Sequence, residues 1–144
     1  MPGPRSGTPL LAYRWKDTDA ALRDQLELAA EGHPGTVEPG HAAVRYTNPT
    51  TGGDVLPTIR AEMHRIAPGV RTAPTRVVGS SVWQVFEGSG TVTVGDTSWT
   101  VARGDLFVVP SWVPCSLRAA EGLDLFTFSD APIFEALKLE GPHA

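Results

Sequence analysis

The residue types that most often bind a transition metal are scarce in this sequence. Its 144 residues include four histidines and one cysteine, Cys115. A mononuclear iron or manganese site needs several imidazole or carboxylate donors that converge from neighbouring strands. His33 lies in a Pro/Gly turn, His41 at the start of a predicted strand and His143 near the end of the sequence, so only His64 lies within a predicted strand. We therefore expect no bound catalytic metal.

Glu62 and His64 are the one pair of potential ligands with a suggestive spacing. Two residues apart on a predicted strand, they share one face and could form a metal-binding pair. The same alternation places Ile59, Ala61 and Met63 on the opposite face. This pattern favours the simpler interpretation, in which Glu62 and His64 form a polar stripe that faces solvent.

Three other side chains could act on a ligand without a metal. Cys115 could be a nucleophile, but a reactive thiol needs a base or a cation nearby, and its sequence neighbours are mostly apolar. We expect a buried, unreactive thiol. Arg71 and Arg76 could bind a substrate carboxylate, although surface arginines with solvated partners are the commoner case.

Length and composition limit the class of protein. The 144 residues are the size of one domain, with a net charge of −4 and no basic stripe that would indicate nucleic-acid binding. No apolar run is long enough to cross a membrane, and the N-terminus has no hydrophobic signal core. A single cysteine excludes an intrachain disulfide and fits a cytoplasmic location.

The turn pattern predicts an all-β sandwich or barrel. Residues 1–41 form a Pro/Gly arm and a helix that Asp17 or Thr18 caps, and residues 42–144 form the barrel with a short terminal helix, Ala131–Leu139. The predicted strands are Ala42–Tyr46, Thr58–Ile66, Val82–Phe86, Gly90–Val94, Ser98–Val101, Leu106–Val109, Ser116–Arg118 and Leu123–Phe128. Gly88 and Gly90 are interpreted as a hairpin turn rather than a phosphate loop, and Glu121 and Gly122 as a second turn.

The glycine and proline spacing in two segments resembles the two motifs of the cupin superfamily. Gly69, Gly88, Gly104 and Pro110 match the frame of those motifs. The metal-ligand positions do not match, because they hold Thr75, Val77, Ser81, Cys115 and Ala119, and Trp112 stands at a glycine position. The resemblance implies a cupin fold, a double-stranded β-helix or jelly-roll barrel, without the ligands of its metal site.

Longer strings narrow the resemblance to the C-terminal half of gentisate 1,2-dioxygenases, over about residues 9–139. They are Arg45–Gly53, Leu56–Ile59, Val85–Val94 (VFEGSGTVTV), Gly95–Trp99 (GDTSW), Gly104–Trp112 (GDLFVVPSW) and Leu123–Leu137 (LDLFTFSDAPIFEAL). In this family, gentisate and salicylate dioxygenases are double cupins that cleave the aromatic ring with iron, which binds to three histidines of the N-terminal cupin. The C-terminal cupin contributes packing and oligomer contacts. The resemblance therefore implies a domain without catalytic iron.

Strand alternation places Trp83 and Val85 on the same face as Ser81, which we expect to be the barrel interior. Thr75, Val77, Phe107, Cys115 and Leu117 are expected to join them, and the candidate pocket residues are Thr75, Val77, Ser81, Trp83, Phe107, Trp112 and Cys115. These residues could form a pocket for a small aromatic acid, but small barrels are usually filled by their own side chains, so we expect a filled or nearly filled core.

The sequence thus favours a gentisate dioxygenase-like cupin domain with a structural or small-molecule-binding role and no cofactor. A homodimer or a partner cupin domain would cover its apolar surface. Two alternatives stay open: an iron-dependent aromatic-ring-cleaving dioxygenase, and a metal-free isomerase or cyclase that uses Cys115.

Overall fold

The computed structural model of the chain describes residues 12–30 and 39–138. The predicted arm at residues 1–11, His33 and His143 lie outside the described residues. The elements follow in the order α1 (Trp15–Ala30), β1 (His41–Arg45), β2 (Arg60–Ile66), β3 (Ser81–Val94), β4 (Thr97–Ala102), β5 (Leu106–Val109), β6 (Cys115–Ser129) and α2 (Ala131–Ala136).

The strands form one antiparallel sheet in the order β1-β2-β6-β3-β4, and β5 pairs with β3 beside that path. The predicted all-β class with a short helix near each end is confirmed. The first half of β3 pairs with β5 and with the end of β6, and its second half pairs with β4 and with the start of β6. Residues from both halves of β6 line one cavity, so the bent sheet closes around it.

The predictions of a turn at Gly88 and Gly90 and of a second turn at Glu121 and Gly122 are both wrong. The two strands predicted on either side of Gly88 are one strand, β3, and those on either side of Gly122 are one strand, β6. The pairing of β3 with β6 shifts register between Val85 and Glu87 and again between Gly88 and Gly90, as β-bulges do. The bulges bend a continuous strand where the sequence predicts a chain reversal.

Helix α1 begins at Trp15, so the predicted caps Asp17 and Thr18 lie inside the helix instead. The helix packs on β1 and β2, where Leu22 is fully buried. The Gln25 side-chain amide donates to the Ala43 carbonyl at 2.6 Å and accepts from the Ala43 amide at 2.9 Å. It thereby satisfies the outward-facing backbone groups of Ala43 on edge strand β1.

Two apolar clusters lie on opposite faces of the sheet. Under α1 the cluster consists of Leu22, Ala42 and Met63, with Leu26, Val44, Tyr46 and Phe126 packed against it. Inside the barrel the cluster consists of Ile66, Val85, Val92, Val101, Leu117, Ala119, Leu123 and Leu125. The second cluster fills one end of the barrel and leaves the other end to the candidate site.

Candidate functional site

A cavity of about 290 Å³ opens to solvent at one end of the barrel, where its lining residues Thr75 and Val77 are exposed. This contradicts the expectation of a filled core. Strand register places the inward side chains of β2, β6 and β3 in rows across the sheet. The first row is Arg60, Ser129 and Ser81, the second is Glu62, Thr127 and Trp83, and the third is His64, Leu125 and Val85. The first two rows line the cavity, whereas in the third row only His64 does, because Leu125 and Val85 belong to the apolar core beside it.

Most of the residues predicted to line a pocket do line this cavity. Thr75, Val77, Ser81, Trp83 and Cys115 are among its lining residues. Phe107 is not, because it packs against the core and stacks on Trp83 with ring centroids 6.0 Å apart. Trp112 is not either, since it lies in the loop after β5, where its amide donates to the Val77 carbonyl at 2.7 Å.

Neither Arg71 nor Arg76 lines the cavity. Arg76 donates to the Trp112 carbonyl at 3.0 Å on the exposed surface, and Arg71 pairs with Arg118 in an isolated β-bridge. Arg71 instead lines a second, polar pocket together with Arg118, so neither arginine can meet a carboxylate in the cavity described above.

Glu62 and His64 face the cavity, so the prediction of a solvent-facing stripe is wrong. Their strand, β2, is covered on both faces, with Ala61 and Met63 buried on the side of α1. Local alternation identified the shared face correctly, but which face is outside depends on α1 and on the closure of the sheet.

A hydrogen-bonded chain connects Glu62, His64 and His41. His64 Nε2 lies 3.0 Å from Glu62 Oε1, and His64 Nδ1 lies 2.8 Å from His41 Nε2. An ionised carboxylate only accepts, so His64 Nε2–H donates to Glu62, and in a neutral His64 the Nδ1 atom accepts from His41. Both nitrogens of His64 are therefore used within the protein.

The hydrogen bond also influences ionisation. Burial by itself would raise the pKa of Glu62, but the hydrogen bond from His64 and the nearby charges of Arg45 and Arg60 lower it below its ordinary value. Glu62 is therefore a fixed negative charge beside the cavity at neutral pH.

Arg60 is a second charged residue of the cavity wall, and the sequence reasoning missed it. Its guanidinium donates from Nε and Nη2 to the two oxygens of Asp54, at 2.9 and 3.2 Å, and from Nη2 to Glu135 Oε1 at 2.7 Å. These hydrogen bonds, that to Asp54 most of all, raise the pKa of Arg60 despite its burial. The sequence did contain a signal for its position: Arg60 lies two residues before Glu62 on the same strand, so the two side chains share a face.

His41 was considered only as a residue at a strand start. Its contact with His64 follows from the β1–β2 register, in which His64 pairs with Ala43, two residues after His41. A register between two strands separated by a long loop could not be read from the local pattern.

Cys115 lies on the opposite wall, where the Thr75 backbone pairs with its own. Burial raises the pKa of the thiol to about 11. The thiol is therefore protonated at neutral pH, which favours the expected unreactive cysteine, but Cys115 is partly buried rather than fully buried as predicted.

The donors present do not fit an iron centre. The positions that correspond to cupin ligands carry two hydroxyls, a valine and a protonated thiol, and His64 turns its two nitrogens to His41 and Glu62. Within residues 12–30 and 39–138, no group of three or more His, Cys, Asp or Glu side chains is arranged to hold a metal ion. We therefore derive no chemical step through iron at this cavity.

The fold and the cavity define a cupin domain. The chain is 61% identical over 132 residues to a gentisate 1,2-dioxygenase from Streptomyces sp.. The matched region covers 92% of this chain and 37% of that protein. It is 32% identical over 146 residues to a 5-aminosalicylate 1,2-dioxygenase from Comamonas sp., covering 94% of this chain and 37% of the relative.

Solved structures agree with these relatives. The salicylate 1,2-dioxygenase of Pseudoaminobacter salicylatoxidans superposes with a TM-score of 0.84 at 55% sequence identity, over 96% of this chain and 42% of that one. No protein-family model matches. The chain is homologous to one part of the gentisate 1,2-dioxygenases, which confirms the resemblance, and it spans 37% of the length of the first of these relatives.

One further finding concerns membranes. Neither helix in the described part of the chain is long and apolar enough to cross a lipid bilayer.

Proposed function

We propose that this chain is the C-terminal type of cupin domain of a gentisate dioxygenase-like enzyme, and that it binds no catalytic iron. Its role is structural, with a cavity able to bind a small organic molecule. One observation carries the proposal: Thr75, Val77, Ser81 and Cys115, at the positions of the cupin metal ligands, bring no imidazole or carboxylate to the cavity. The imidazoles and the carboxylate that line it elsewhere, His41, His64 and Glu62, are hydrogen-bonded in a chain through His64.

The test is oxygen consumption by the purified chain with gentisate after anaerobic addition of Fe²⁺. The expected result is a rate equal to that of Fe²⁺ and gentisate without protein. Oxygen uptake that depends on the chain, with loss of the gentisate ring absorbance, would contradict the proposal and favour the iron-dependent alternative.

The metal-free isomerase or cyclase is not favoured by the state of Cys115. A nucleophilic cysteine has a lowered pKa, and burial raises the pKa of this one to about 11. A cytoplasmic location remains part of the proposal, supported by the presence of a single cysteine.

The outer face of the sheet supports a protein partner. Phe128, Val82 and Val108 lie in one row across β6, β3 and β5, and Leu106 follows on β5. The exposed fractions are 42% for Phe128, 56% for Val108 and 63% for Leu106. Neighbouring apolar side chains on a sheet face with an exposed edge favour association.

We infer that a second copy of the chain, or a partner cupin domain, covers this face. Sedimentation equilibrium of the purified chain is expected to give a dimer, and Val108→Glu is expected to shift it to monomer. Ala102→Glu, on the exposed end of β4, is the control. A monomer at all working concentrations would contradict the homodimer.

A further inference from the structure

The cavity contains a buried cation with unused hydrogen-bonding capacity. Arg60 is 9% exposed and lines the cavity. Its Nε and Nη2 atoms donate to Asp54 and Glu135, whereas Nη1 has no acceptor among residues 12–30 and 39–138. Buried donors in folded proteins are nearly always hydrogen-bonded, and a buried donor without an acceptor lowers the stability of the folded state. The Nη1 donors of Arg60 therefore point to a ligand that brings an acceptor.

Glu62 contributes the complementary acceptor. One of its oxygens, Oε1, accepts from His64. Among the residues that the structure describes, the other oxygen, Oε2, has only the half-exposed Arg45 at 3.7 Å, which is too long for a hydrogen bond. Because Glu62 lies two residues from Arg60 on β2, both side chains are on the same face of the strand. The wall thus offers a donor and an acceptor side by side.

The surrounding charges limit what the ligand can be. Arg60 already meets Asp54 and Glu135, and the wall also carries Glu62 and Asp130. A carboxylate on the ligand could accept from Nη1 but would be repelled by these four acidic side chains. An ammonium group could pair with Glu62 but would leave Nη1 without an acceptor.

A neutral group with an acceptor beside a donor matches both side chains. The planar carboxamide has this arrangement, because its C=O accepts and its N–H donates in one plane. It satisfies Arg60 and Glu62 without adding charge to the cavity.

The rest of the cavity indicates the size and shape of the ligand. Trp83 lies in the same row as Glu62 with Thr127 between them, and its ring centroid is 4.8 Å from that of His64, so the cavity wall includes an aromatic surface. The volume of about 290 Å³ is at the lower limit of ligand pockets, enough for a molecule with one ring.

We propose that this cavity binds a small, planar, neutral molecule of the aromatic carboxamide class, with its carbonyl on Arg60 and its N–H on Glu62, in preference to an aromatic acid. The inference rests on the proposed function, since it concerns a cavity that binds a small molecule without iron.

Three probes that share one ring test it: benzamide, benzoate and benzylamine. Isothermal titration of the full chain at pH 7 is expected to show benzamide binding about tenfold or more tightly than either ionic probe, as one lost hydrogen bond to a charged group implies. Benzoate or benzylamine binding as tightly as benzamide would overturn the proposal, and so would the absence of binding by all three.

Glu62→Gln tests the role of the carboxylate. It removes the negative charge, so the preference for benzamide over benzoate is expected to fall to less than about threefold. Glu121→Gln, on an exposed part of β6 outside the cavity, should keep the wild-type ranking. An unchanged ranking in Glu62→Gln would overturn the assignment, and if that variant does not fold, the ranking in the wild type decides.

Oxygen consumption is measured separately, so the two proposals can fail independently. A wrong ranking without oxygen uptake overturns the ligand class alone. Oxygen uptake with gentisate and iron overturns the proposed function.

Discussion

Gly88 of β3 lies against Gly122 of β6 so closely that a Cβ at residue 88 would overlap the Gly122 carbonyl oxygen. Gly88 also has a φ of 96°, which L-residues with a side chain rarely adopt. The bulge between β3 and β6 therefore requires glycine for two reasons, the backbone conformation and the approach of the two strands.

Gly88→Ala is expected to lower the free energy of unfolding by more than about 2 kcal/mol, because positive φ and a backbone clash add together. Urea unfolding followed by circular dichroism measures the loss. The matched control is Gly52→Ala, with a φ of 74° and no atom within 4 Å of the added Cβ. It is expected to cost about 1 kcal/mol. Equal losses would show that the contact with Gly122 is unimportant.

The same contact explains what the sequence could and could not predict. Alternation correctly placed Ser81, Trp83 and Val85 on the inside, because a strand has a fixed period of two. A glycine pair between two β runs fits a hairpin turn and a bulge equally well locally. Only the approach of Gly122, 34 residues later, distinguishes them.

The candidate site shows the same division. Motif spacing predicted that Thr75, Val77, Ser81 and Cys115 lie together, and all four line the cavity. The inward direction of Arg60, Glu62 and His64 depends on which face of β2 the helix α1 covers. The strand pattern does not contain that information. Alternation shows which side chains share a face, but it does not show which of the two faces points into the barrel.

Arg65 should contribute strongly to the attachment of α1. It is 18% exposed and donates from Nε to Asp124 at 2.7 Å and from Nη2 to Asp19 at 2.7 Å. Arg65→Met is expected to lower the free energy of unfolding by about 3 kcal/mol, because it leaves the largely buried Asp124 carboxylate without its partner and also removes the ion pair with Asp19 on α1.

The control for Arg65 is Arg103, which forms an ion pair with Glu87 on the exposed surface. Arg103→Met is expected to cost less than about 1 kcal/mol. Urea unfolding of both variants gives the comparison. A small effect of Arg65→Met would contradict a stabilising role for the network with Asp19 and Asp124.

Glu62 is expected to stabilise the folded chain more at neutral pH than at acid pH. Its pKa in the folded chain lies below the ordinary value of 4.5. A carboxylate with a lowered pKa stabilises the folded state above the unfolded pKa and loses that contribution as pH falls through the folded pKa. The stability difference between the wild type and Glu62→Gln is therefore expected to be full at pH 7 and to shrink below about pH 4.5.

Urea unfolding at a series of pH values from neutral to acid measures this difference. Glu121→Gln, a change of the same kind at an exposed position, controls for the general effect of charge. A difference that grows as the pH falls would contradict the lowered pKa.

Cys115 should react slowly with alkylating reagents. With the pKa of the thiol at about 11, the thiolate fraction at pH 8 is roughly a hundredth or less of that of an ordinary cysteine. Iodoacetamide labelling followed by mass spectrometry is expected to be slow for the folded chain and fast in urea. Fast labelling of the folded chain at pH 8 would indicate an activated thiol and reopen metal-free catalysis.

Iron stoichiometry after anaerobic equilibrium dialysis against Fe²⁺ tests the central claim most directly. The positive control is a triple variant, Thr75→His, Val77→His and Cys115→His, which places imidazoles at three cavity positions. The account predicts well under one iron per wild-type chain and a clear rise in the folded triple variant. One tightly held iron per wild-type chain would contradict it.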